Sequence, residues 1–67
     1  MKQRTFKKAS ETAMIRFAKR NQLIIESFET MFDGLQIAHT HREGKTMEQS
    51  HVVIYWDVED RQVYYCY

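Results

Sequence analysis

The chain has 67 residues, with ten Lys and Arg against nine Asp and Glu for a net charge of +1, 43% hydrophobic residues, two Gly and no Pro. Those values leave room for one small domain and exclude both a disordered polar chain and a bulk polyanion binder. A single cysteine, Cys66, excludes an intramolecular disulfide framework, and no apolar run approaches the ~20 residues that cross a bilayer. The expectation is a cytoplasmic, single-domain protein.

In chain order, residues 1–9 form a basic arm. Its start, Met1-Lys2-Gln3-Arg4-Thr5-Phe6-Lys7-Lys8, is not followed by the apolar segment of a signal peptide. Residues 10–33 read as one amphipathic helix, with Ser10 as N-cap and Gly34 at the left-handed C-cap position. Met14, Phe17, Ala18, Ile24, Ile25, Phe28, Met31 and Phe32 fall on one arc at helical spacing. That arc is wider than a coiled-coil seam, so a helix lying on a sheet is expected.

Beyond Gly34 the period becomes two, and residues 35–67 read as a three-stranded antiparallel meander. The expected turns are Glu43-Gly44, pairing Arg42 with Lys45, and Glu59-Asp60, pairing Val58 with Arg61. These registers put Leu35, Ile37, Val52, Ile54, Trp56, Val63, Tyr65 and Tyr67 on one face. Ala38, Thr40, Val53, Tyr55, Tyr64 and Cys66 then lie on the other. The expected fold is α+β, an α-β-β-β unit. A short extra N-terminal strand, Gln3 to Lys7, is the candidate to cover the uncharged last strand, Val63 to Tyr67; left uncovered, that strand is an edge open to pairing.

Charge is segregated. Residues 1–20 hold seven bases against Glu11 alone, a balance of +6, and the remainder balances to −5. On a helix over 10–33 the bases come first and Glu26, Glu29 and Asp33 last, opposing the macrodipole. Two such helices crossed antiparallel would match basic to acidic halves, which points to a homodimer centred on Leu23 between Arg16, Lys19, Arg20 and Glu26. The size points the same way, since a chain this short buries only about 60% of its unfolded surface.

Tyr55 and Tyr64 are expected as cross-strand neighbours on the face away from the helix. Such a pair can stack unpaired bases, can form the centre of a protein interface, or can simply suit a strand. Few bases accompany the rings, which favours the protein interface.

The expected function is a small non-catalytic regulator or inhibitor, of the kind that phages and mobile elements encode. It acts by protein–protein binding through Tyr55, Tyr64, Arg16, Lys19, Arg20 and Leu23. The alternative is a nucleic-acid binder gripping phosphates with Lys2, Arg4, Lys7, Lys8, Arg16 and Lys19. His39-Thr40-His41 places two imidazoles on one strand face, with Glu48 opposite His39 and His51 on the other face; it is a remote candidate for metal-dependent activity. No cofactor and no metal site are expected, and no nucleotide-binding or nucleophile motif is present.

Overall fold

A computed structural model describes residues 2–66, with side chains from residue 10 onward. Helix α1 (Lys2–Arg20) is followed by strands β1 (Leu23–Thr30), β2 (Gln36–Arg42), β3 (His51–Asp57) and β4 (Gln62–Cys66). The strands form one antiparallel sheet in the order β1-β2-β3-β4, and α1 packs on one of its faces. The α+β class, the N-terminal helix and the antiparallel meander are as the sequence predicts. The short N-terminal strand expected over Gln3 to Lys7 is not formed, because those residues lie within α1; the fourth strand is instead β1, which follows the helix and borders β2 rather than covering β4.

The helix expected over 10–33 is thus displaced. It covers the basic arm and stops at Arg20, where Asn21 and Gln22 turn the chain and Gln22 takes a left-handed φ of 57°. The Asn21 amide donates to Phe17 O at 3.1 Å, and its side-chain Nδ2 donates to the same carbonyl at 2.8 Å. That double donation closes the last turn and satisfies a carbonyl the helix would otherwise leave exposed. Gly34 is left-handed as expected, with φ 89°, yet it serves the β1–β2 loop, its N–H bonded to Met31 O at 2.8 Å.

In β1 the register slips between Ile25 and Ser27. This bulge turns Leu23, Ile25 and Phe28 toward α1, a step of two and then three, and that irregular step imitates helical spacing. Phe32, expected in the apolar stripe, stands fully exposed in the following loop.

The β3–β4 register is the expected one: Trp56 faces Val63, Tyr55 faces Tyr64 and Ile54 faces Tyr65. The β2–β3 register is not. Ile37 faces Tyr55 where Ser50 was expected, an odd displacement of five positions that reverses the faces of β2. The cause is the connection. Instead of a two-residue turn, residues 43–50 form a loop closed by its own polar groups: Gln49 N donates to Thr46 O at 3.1 Å and Thr46 N to Gln49 Oε1 at 3.0 Å. Ala38 and Thr40 therefore lie beneath the helix, while Ile37, His39 and His41 alternate onto the open face.

The core is Met14 and Ala18 of α1 against Leu23, Ala38 and Ile54, with Phe17, Ile25, Val52, Val63 and Tyr65 packed around it. The small side chains of Ala18 and Ala38 let the helix sit close. Thr40 is fully buried, and its hydroxyl donates to Val52 O at 2.8 Å, which removes the cost of burying it.

Candidate partner-binding groove

The end of α1 at Arg20 coincides with the boundary in charge. The helix carries all seven bases of the first twenty residues, and the acids that follow lie on the sheet and its loops. The structure is a basic helical layer on an acidic sheet. Glu26, Glu29 and Asp33 are not helical, so the antiparallel helix pair expected for a homodimer loses its acidic half. Lys19 and Arg20 occupy the last helical turn, where the macrodipole favours cations. Leu23 is not an exposed contact centre either. It belongs to β1 and is 6% exposed in the core.

Arg16, Lys19 and Arg20 converge where α1 overhangs β4. With Arg61, Ala13, Phe17, Gln62 and Val63 they line an open groove of about 710 Å³. Positions 16, 19 and 20 meet because residues three and four apart share a helix face. Arg61 comes from the turn before β4, held left-handed at φ 55°, with its N–H donating to Asp57 O at 2.8 Å. Asp57 Oδ1 also accepts from Glu59 N and Asp60 N, which fixes the turn that presents Arg61. All four cations are exposed, and among the described residues none has a carboxylate partner.

Aromatic packing holds Phe17, which lines the groove, against β4. Phe17 meets Tyr65 edge-on, with ring centroids 5.2 Å apart at 70°, and the Tyr65 hydroxyl donates to Asn21 Oδ1 at 3.2 Å. The residue that closes the helix therefore also anchors it to β4. Beside the groove, the outer side of β4 has no pairing strand among the described residues.

Tyr55 and Tyr64 are neighbours on the open sheet face, as expected, with centroids 5.8 Å apart. Their surroundings are acidic. The Tyr64 hydroxyl donates to Asp60 Oδ2 at 2.9 Å, and this bond, with a small burial effect and the charges of Asp60 and Asp57, raises the Tyr64 phenol above its ordinary value. Carboxylates beside the rings oppose a phosphate chain there. Lys2, Arg4, Lys7 and Lys8 extend the basic helix toward its start, their side chains outside the described residues.

His39 and His41 share the open face but not a site. His39 Nε2 donates to Glu29 Oε1 at 2.8 Å, while its Nδ1 lies 3.0 Å from His51 Nε2. His41 instead bonds Glu26 Oε1 at 2.8 Å and the Arg42 carbonyl at 3.0 Å. His51 thus sits on the same face as His39, not the opposite one, and Glu48 lies in the loop, because the β2–β3 register moved. Among the described residues no three His, Cys, Asp or Glu are grouped to hold a metal ion.

Arg61 is the groove residue that sequence reasoning missed. Nothing in its spacing links it to residues 16–20; only the helix crossing toward β4 does. No helix among the described residues is long and apolar enough to cross a membrane. Comparison with protein-family models, curated proteins and solved structures found no match.

Proposed function

We propose that this chain is a small non-catalytic regulatory protein that works by binding another protein, and that it takes an acidic surface of that partner into the groove between α1 and β4. The observation carrying this reading is the convergence of Arg16, Lys19, Arg20 and Arg61, four cations without a carboxylate partner among the described residues. Exposed cations held together without counter-charges repel one another, and an acidic partner relieves that repulsion. A two-fold contact at this groove would set like charges against like, so a different chain is a better occupant than a second copy. Nucleic acid shares the attraction to cations, but the Tyr55–Tyr64 pair that would stack bases lies on the opposite face of the sheet beside Asp57 and Asp60.

The test is titration with polyglutamate and with single- and double-stranded DNA, for the wild type and for R16E/K19E/R20E. Polyglutamate should bind at low salt, weaken as salt rises, and lose roughly a hundredfold or more in the variant. Circular dichroism should report an intact fold. Failure of polyglutamate to bind, or equal binding by the variant, overturns the proposal. Tight DNA binding without polyglutamate binding overturns it in favour of the nucleic-acid reading.

A further inference from the structure

Resting on the groove as the binding site, the placement of β4 specifies the form of the ligand. We infer that the partner contributes an extended acidic segment that adds to β4 as a fifth strand, with its acidic side chains turned up toward Arg16, Lys19, Arg20 and Arg61.

Three features on one flank converge on this. First, β4 pairs only with β3, so alternate residues of Gln62–Cys66 direct N–H and C=O groups outward with no strand to meet them among the described residues. Second, β4 carries no charge, no proline and no bulge, the devices that normally block addition to an edge. Third, the cations lie on one side of that edge alone. Val63 and Tyr65 point to the helix side, and α1 overhangs them with Arg16, Lys19 and Arg20.

An added strand would run about 4.8 Å outside β4 and present successive side chains to opposite faces. Every second residue would then meet the cations, and the residues between would lie beside Tyr64 on the open face. The expected motif is therefore acidic residues at alternate positions, separated by β-branched or aromatic ones that pair well across a sheet. Main-chain bonds supply register-independent affinity, and the alternating charge sets which face turns up. A nucleic acid would meet the cations but leave the edge amides unpaired.

The test uses the wild-type protein and three acetylated peptides slightly longer than β4. The first alternates Glu with Val and Thr, the second replaces Glu by Lys, and the third is the first with its backbone N-methylated at alternate residues on one edge. The acidic peptide should bind and slow amide hydrogen exchange at alternate residues of β4. The Lys peptide should not bind, and N-methylation should weaken binding by roughly tenfold or more. Equal binding of the N-methylated peptide, or unchanged exchange in β4, overturns strand addition while leaving the cationic groove as the binding site. No binding by the acidic peptide or by polyglutamate overturns both. A DNA strand that binds more tightly than the acidic peptide and leaves β4 exchange unchanged overturns the inference as well.

Discussion

The two edges of the sheet are built differently. Strand β1 carries Glu26 and Glu29, is bulged at Ile25–Ser27, and continues through two residues into the helix. Its carboxylates are held across β2 by His41 and His39. Strand β4 has none of these features, and cations gather along its flank instead. A sheet this small has to manage both edges, and here the management is one-sided. A guarded edge opposite an unguarded one flanked by cations is the contrast on which the proposed strand addition rests.

Both edges depend on Ile54, fully buried between β2, β4 and the helix. Ile54→Ala should cost about 2–5 kcal/mol, enough to leave much of so small a domain unfolded, measured by urea denaturation. Retained stability would mean that the sheet does not hang on this centre. Removing the guard from β1 is the next test. Glu26→Val with Glu29→Val leaves the bulge but strips the charge, and light scattering should then report more self-association than the wild type shows. A variant that associates no more than the wild type would credit the bulge alone with protecting β1.

A smaller effect is expected where helix and β4 join. Tyr65→Phe removes the hydroxyl bonded to Asn21 and should destabilise by about 0.5–1.5 kcal/mol, read as a shift in the denaturation midpoint with unchanged slope. The smallest concerns Tyr64. Its phenol is raised from 10.0 by the bond to Asp60, so folding favours the neutral form. That contribution is complete below pH 10, the unfolded value, and fades as pH climbs through the higher folded value. Asp60→Asn should move one tyrosine's phenolate absorbance to lower pH, and Tyr64→Phe should abolish the difference. Coincident titration curves for wild type and Asp60→Asn would remove the link.

How far the sequence could be read differs by region. The second hairpin was legible because Ile54, Trp56, Val63 and Tyr65 alternate without interruption on both sides of a short turn. The first strand was not. Its bulge gives Ile25 and Phe28 a helical step, and Ile24 and Phe28 also lie four apart, so periodicity alone assigned 21–33 to the helix. The left-handed Gln22 that ends the helix is not a glycine, and no local signal announces it. The eight residues between β2 and β3 look like strand and turn, yet Thr46 and Gln49 close a loop through side-chain bonds that periodicity does not register. As for the groove, Arg16, Lys19 and Arg20 could be singled out from their helical spacing, whereas Arg61 joins them only through tertiary packing.

The bond from Tyr65 to Asn21 spans 44 residues, joining the last strand to the end of the first helix. All sheet pairings, by contrast, link consecutive strands. Contacts between neighbours in sequence close cheaply and early during folding, whereas the one joining the two ends of the chain closes late. The groove exists only after that closure, so whatever fills it binds the completed native state and none of its precursors. A ligand bound there as proposed would therefore act as a latch on the whole domain, raising its melting temperature with ligand concentration.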